Sequence, residues 1–168
     1  MLFQVISNKI FLDIKISELP RLSKFKFTGV KKSKQKDLRE EIGLVRGKVV
    51  TENILITTKN KVRNYYVNKG YLDTEVNIVK EEDTLAANNV ILVINVDRKN
   101  RIKVQDINFK GNNSLKGGKL RRSLDKTKRA RFYNIFTISK YIPNLYSKDK
   151  PGIIEKYNEK GFRDAKIE

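Results

Sequence analysis

The sequence predicts an α+β fold written twice: tandem units of order β-α-α-β-β, each with two helices packed on a three-stranded mixed sheet. Three observations predict it. First, "KFKFTGVKKSKQKDLREEI" (24–42) aligns with "DINFKGNNSLKGGKLRRSL" (106–124) at an offset of 82, matching Phe27 with Phe109, Gly29 with Gly111, Leu38 with Leu120 and Ile42 with Leu124. Second, "NYYVNKGYLDTEV" (64–76) aligns with "EKYNEKGFRDAKI" (155–167) at an offset of 91, so nine extra residues fall between 125 and 147 of the second copy. Third, the apolar period within a copy passes from 2 to 3.6 and back to 2.

The elements follow in order. "NKIFLDIKI" (8–16) alternates Ile10, Leu12, Ile14 and Ile16 and reads as the last strand of a preceding unit, unpaired in this chain. Phe25 and Phe27 alternate with lysines and predict a half-buried strand that ends at Gly29. Ser33 is placed to cap a short helix carrying Leu38 and Ile42, which Gly43 stops. Thr51 is placed to cap a longer helix with Ile54, Thr58, Val62 and Tyr65/Tyr66 on one face; Gly70 ends it. Thr74, Val76 and Ile78 alternate as a strand, "KEEDTLAANN" (80–89) reads as a polar loop, and "VILVINV" (90–96) reads as a central strand covered on both sides. In the second copy, Pro151 and Gly152 fall where the long helix should run, predicting a kink or a start there. The boundaries expected are 1–19, the C-terminal strand region of a preceding unit; 20–98, a complete unit; and 99–168, a second unit cut before its closing hairpin. The joints at 17–22 and 97–102 are short and lack Gly, which predicts semi-rigid contact between units.

Composition narrows the chemistry. The 168 residues contain no Cys, His or Trp, which excludes disulfides, thiol catalysis, Cys/His zinc sites and imidazole acid–base chemistry. A unit of this size buries only about 60% of its unfolded surface, so each needs a tidy core. The net charge of +18 suits nucleic acid, an anionic membrane surface or acidic partners. "MLFQVISNKIFLDIKI" lacks the basic start and cleavage site of a secretory leader, so any export signal is expected outside this sequence. "GLVRGKVV" (43–50) falls short of a phosphate loop in spacing, in lacking a metal-binding Ser/Thr and in following a helix. Glu81, Glu82 and Asp83 read as a solvated loop. No catalytic residue, metal ligand or cofactor is expected.

The strand–Gly opening, the two helices, "NKGYLDTEV" and the closing strands resemble the polypeptide-transport-associated (POTRA) domains of BamA-type outer-membrane protein assembly factors. The most specific part is the repeated signature Tyr66, Gly70, Tyr71 and Asp73, then Tyr157, Gly161, Phe162 and Asp164. The basic aromatic insert "KRARFYNIF" (128–136) is similar to inserts in BamA relatives of the Bacteroidetes. The resemblance implies a non-catalytic periplasmic scaffold at the outer membrane. Its implied partners are unfolded outer-membrane proteins, accessory assembly lipoproteins and a C-terminal membrane barrel of the same full-length protein.

Three candidate sites remain. In the signature, Gly ends a helix, the aromatic fills the core and Asp steadies the turn, a structural role. The basic stretch holds Lys116, Lys119, Arg121, Arg122, Lys126, Lys128, Arg129 and Arg131, followed by Phe132, Tyr133, Phe136, Tyr141 and Tyr146. As a patch, Lys119 through Arg131 would meet anionic lipid or an acidic partner; the alternative is a nucleic-acid module spanning 116–146. The third site is Thr74, Glu75, Val76, Asn77, Ile78 and Val79, expected as an edge strand to which an extended client adds by backbone hydrogen bonds. The unpaired 8–16 strand is also expected to complete the second unit of a neighbouring copy, giving strand-swapped self-association.

Overall fold

The computed structural model describes residues 2–6, 9–16, 18–129 and 139–168. Among the described residues nine elements run in order: β1 (Leu2–Ile6), β2 (Lys9–Asp13), β3 (Arg21–Thr28), α1 (Lys32–Ile42), α2 (Glu52–Val67), β4 (Glu75–Glu82), β5 (Asn89–Asp97), α3 (Gly117–Arg122) and α4 (Pro143–Asn158). β3, β5 and β4 form a mixed sheet in that spatial order, β3 parallel and β4 antiparallel to β5. The fold class is therefore the one expected.

The first unit closes around one apolar face. Ile94 and Val96 of β5 meet Leu38 and Ile42 of α1 and Val62 and Tyr66 of α2, while Leu92 packs with Leu22, Val50 and Val90. Leu38, Val62, Leu92 and Ile94 are fully buried, each contributing roughly 1.5–3 kcal/mol. Among the described residues the opposite face carries no helix, contrary to the expectation for 90–96. Val93 is nevertheless buried there, because its cross-strand neighbours Lys26 and Val79 lie over it.

The caps follow local chemistry. Thr51 Oγ1 accepts the Ile54 N–H at 3.3 Å, as expected. Gly43 stops α1 in the left-handed conformation, φ 63°. Ser33 does not cap α1; the helix starts one residue before it, with Lys31 at the N-cap and no side-chain cap bond. In the 43–50 loop, Gly47 N–H donates to the Leu22 carbonyl at 2.7 Å and the Lys48 carbonyl accepts from Leu22 N–H at 2.8 Å. Those groups extend the sheet margin and cradle no phosphate.

Several expectations need correction. The strand expected over 8–16 is β2, limited to Lys9–Asp13, and it is not unpaired: β1 pairs with it antiparallel, from Leu2↔Asp13 to Ile6↔Lys9. The loop expected over 80–89 shrinks to Asp83–Asn88, because Lys80, Glu81 and Glu82 continue β4. Two of these charges are paired without leaving the strand: Lys80 reaches Glu52 at 2.9 Å and Glu81 reaches Lys26 at 2.9 Å. Helix α4 neither starts nor breaks at Pro151. It begins with Pro143 and runs through Pro151. Pro151 and Ser147 are both exposed, so the carbonyl that loses its helical donor faces water. Gly152 is the close-approach point of that helix: a Cβ there would stand 2.9 Å from the Ser123 carbonyl oxygen.

The repeat extends to individual hydrogen bonds. Leu22 N–H to Lys48 carbonyl (2.8 Å) recurs as Val104 to Ser139 (2.7 Å), and Val50 N–H to Pro20 carbonyl (2.8 Å) recurs as Tyr141 to Ile102 (3.0 Å). The bridge Arg21↔Val49 recurs as Lys103↔Lys140. The second unit gathers Leu115, Leu120, Leu124 and Ile153 into its own core. Residues 106–110, which align with β3, form no strand, because no counterpart of β5 lies beside them among the described residues.

Candidate functional site

β4 lies at the edge of the sheet, with β5 on one side and no other strand on its second side among the described residues. The parity of that edge can be worked out. Asp83 N–H donates to the Asn89 carbonyl at 2.9 Å, on the register that pairs Glu75 with Asp97 and Glu82 with Val90. Antiparallel pairs alternate between bonded and non-bonded. Glu75, Asn77, Val79 and Glu81 thus turn their backbone groups toward β5. Val76, Ile78, Lys80 and Glu82 turn theirs outward. The side chains split oppositely: Val76 is buried and Ile78 half-buried against the helices, while Glu75, Asn77 and Val79 are exposed on the open face.

The expected edge of 74–79 is thus shifted. Thr74 precedes the strand and is buried, its hydroxyl donating to the Tyr71 carbonyl at 2.8 Å. The strand gains Lys80–Glu82. Four outward positions at roughly 0.5–1.5 kcal/mol each give about 2–6 kcal/mol. That corresponds to affinities from about tens of millimolar to tens of micromolar, suited to transient contact.

The signature residues sit at the ends of the two long helices. Gly70 and Gly161 have φ of 89° and 88°, the left-handed region where a side chain is strained. Tyr66 meets Tyr71 edge-to-face at 6.0 Å, and Tyr157 meets Phe162 at 6.1 Å. Asp73 and Asp164 are exposed in the turns that follow.

The basic stretch is not uniformly free. Asp106 draws Arg129 to 3.1 Å and Arg121 to 3.9 Å. The backbone N–H of Ile107, then the Arg129 guanidinium, hold the Asp106 carboxyl below the usual range. Lys128 Nζ donates to the Leu124 carbonyl, tying down the turn after α3. Lys119, Arg122 and Lys126 are exposed. Arg131, Phe132, Tyr133 and Phe136 lie outside the described residues. A nucleic-acid surface would need these guanidiniums for phosphates, and two of them are engaged with a carboxylate.

Asp149, one residue that sequence reasoning missed, organises this stretch. It sits inside α4, only 4% exposed. Its carboxylate accepts N–H bonds from Asp125 (3.1 Å), Lys126 (3.0 and 3.2 Å) and Thr127 (2.6 Å). Burial pushes its carboxyl up, but the Lys126 and Thr127 donors and the Asp125 N–H outweigh it and hold it below the usual range. Asp149→Ala should cost about 3 kcal/mol, since several donors lose their acceptor. A depressed folded pKa stabilises above the unfolded value near 3.8 and stops doing so as pH falls through the folded value. Wild type should therefore hold its margin over the variant from neutrality down to about pH 4. The margin should disappear below that in thermal melts.

Beside these residues an open cavity of about 550 Å³ is lined by Ile107, Phe109, Leu120, Leu124, Ile153 and Tyr157. It occupies the place that β5 fills in the first unit. Among the described residues no group of three Asp or Glu side chains could hold a metal ion, and no helix is long and apolar enough to cross a membrane.

Fold and edge together define a tandem α+β module with helices on one side of a short mixed sheet and an edge strand beside them. The chain belongs to the POTRA family ("Surface antigen variable number repeat"), whose profile matches residues 20–99 and 102–168. It is 25% identical over 159 residues to a protein of Treponema pallidum (strain Nichols) named "Putative outer membrane protein assembly factor", covering 95% of this chain and 18% of that one. It also resembles the crystal structure of Haemophilus influenzae BamA POTRA3-5 (TM-score 0.52, 16% identity, 84% of this chain and 51% of that one). A third likeness is to BamA from Haemophilus ducreyi lacking POTRA domains 1-3 (TM-score 0.53, 18% identity, 90% and 25%). The two structural likenesses concern the fold. The finer likeness of 128–136 to Bacteroidetes relatives is not reached by them, and most of that insert lies outside the described residues.

Proposed function

We propose that this chain is part of the periplasmic arm of an outer-membrane protein assembly machine, acting as a scaffold and chaperone-like module. Residues 1–19 are the closing strands of a preceding unit, 20–98 a complete unit and 99–168 the body of a second. Unfolded outer-membrane proteins add a transient strand along β4. Accessory lipoproteins dock at unit surfaces, and the membrane barrel of the same full-length protein receives the client. Exposed Lys119, Arg122 and Lys126 face anionic headgroups of the membrane. No catalysis or cofactor enters this role.

The observation that carries the reading is the uncovered, outward-bonding edge at Val76, Ile78, Lys80 and Glu82. A photo-crosslinking residue at Val79 or Glu82 should capture an unfolded barrel protein. One at Lys59, on the exposed side of α2, should not. Equal capture at both sites would argue against strand addition.

Self-association follows from the same backbone chemistry. The β1–β2 hairpin of one copy has the antiparallel form of β4–β5, and the 550 Å³ cavity of another copy stands where such a hairpin belongs. Light scattering should show concentration-dependent oligomers that deletion of residues 1–16 abolishes. A strict monomer at high concentration would remove this proposal.

A further inference from the structure

The turn that closes the long helix occurs twice with one geometry and two surroundings. After α2, the N–H groups of Asn68, Lys69, Gly70 and Tyr71 donate to Asn64, Tyr66, Val67 and Tyr66 at 2.9, 2.9, 2.9 and 3.1 Å. After α4, those of Glu159, Lys160, Gly161 and Phe162 donate to Glu155, Tyr157, Asn158 and Tyr157 at 2.9, 3.0, 2.9 and 3.1 Å. The second turn is open: nothing lies within 4 Å of a Cβ built on Gly161, and Phe162 is 46% exposed. The first turn is covered by the second unit. Ile102 N–H donates to the Gly70 carbonyl at 3.0 Å, and the Asn144 amide donates to Asn68 Oδ1 at 2.9 Å. A Cβ on Gly70 would stand 3.3 Å from Lys140 Cβ.

The Tyr71 ring completes the contact. The guanidiniums of Arg101 and Arg98 lie 4.9 and 5.2 Å from its centroid, and Arg98 also donates to its hydroxyl at 3.0 Å. Both arginines belong to the short connection between the units. The turn has the same shape with and without a neighbour, so docking on it requires little reorganisation. A helix stop alone needs only the glycine. It does not call for the Asn68–Asn144 bond, the paired arginines or a backbone donor aimed at the glycine carbonyl.

We infer that the Gly70–Tyr71 turn is a coupling socket that locks the second unit on the first at one angle, and that Ile102 N–H is its central bond. The repeat shows what happens at the other joint. The counterpart of Ile102 is Pro20: its carbonyl accepts Val50 N–H as that of Ile102 accepts Tyr141 N–H. Proline has no N–H to give. The joint ahead of the first unit therefore lacks the central bond. The arm is stiff between its two units and articulated ahead of the first.

Pulsed electron–electron double resonance on the full 168-residue chain tests this, helped by the absence of native cysteine. Spin labels at Lys36→Cys and Lys148→Cys span the stiff joint; labels at Lys15→Cys and Lys36→Cys span the articulated one. All three positions are exposed. The first pair should give a narrow distance distribution and the second one at least twofold broader. Ile102→Pro, which transplants the chemistry of position 20, should broaden the first pair at least twofold with each unit's melting unchanged. Arg101→Ala with Asn144→Ala removes side-chain contacts only and should broaden it to an intermediate width. Equal widths for the two wild-type pairs, or no broadening in the double alanine variant, would overturn the socket.

Discussion

Gly29→Ala should unfold the first unit in conditions where Gly111→Ala leaves the second intact. The two glycines are counterparts, with φ of 72° and 73°. A left-handed alanine costs about 1–2 kcal/mol at either position. Beyond that their surroundings diverge. A Cβ on Gly29 would sit 2.0 Å from the Val96 carbonyl oxygen, while one on Gly111 meets nothing within 4 Å. The obstacle is backbone of the central strand, which cannot swing aside without parting β3 from β5. The total for Gly29→Ala should reach about 4 kcal/mol or more, a large share of the stability of a small unit. Urea denaturation followed by tyrosine fluorescence would report it, and equal losses for the two variants would contradict the packing described here.

Lys80→Pro should abolish most capture of unfolded client while the protein stays folded. Position 80 turns its N–H outward, so proline removes a donor that β5 does not use. Its side chain is exposed and loses only a surface ion pair with Glu52, 43 and 77% exposed, a small contribution. The ring also obstructs an incoming strand at the middle of the rim. Val79→Pro is the control in the opposite sense, because its N–H belongs to the ladder and its loss should destabilise the sheet itself. Crosslinking yield at Glu82 should fall several-fold in Lys80→Pro with melting shifted by no more than a few degrees. Undiminished yield in that folded variant would end the strand-addition proposal.

The sequence made much of this visible because glycine and capping positions are local. Gly43 and Gly70 stop helices, Thr51 caps one, and the apolar run at 90–96 marks the central strand. What stayed hidden depended on distant partners. Lys80, Glu81 and Glu82 look like loop until Glu52 and Lys26 are seen to pair with two of them. The stretch 106–110 has strand periodicity but no sheet to join. Pro151 looks like a helix breaker until its partner carbonyl is seen to face solvent. Asp149 carries no sequence signal at all, since a carboxylate inside a helix looks like any solvated one until a loop folds its N–H groups onto it. Of the candidate site, the strand could be located from its alternation. Its bonding parity could not, because parity depends on a register that only the Asp83–Asn89 bond reveals.

That parity carries a consequence for selectivity. A guest lying on the rim would project every second side chain above α2 and the intervening ones toward the bare side of the sheet. Chains destined for a transmembrane barrel alternate greasy and hydrophilic residues in the same dyad rhythm. Such a guest can seat all its oily groups on one side in a single phase, and slipping by two residues preserves the match. The rim would thus filter polypeptides by rhythm and remain indifferent to their spelling, letting one short strand greet many different cargoes.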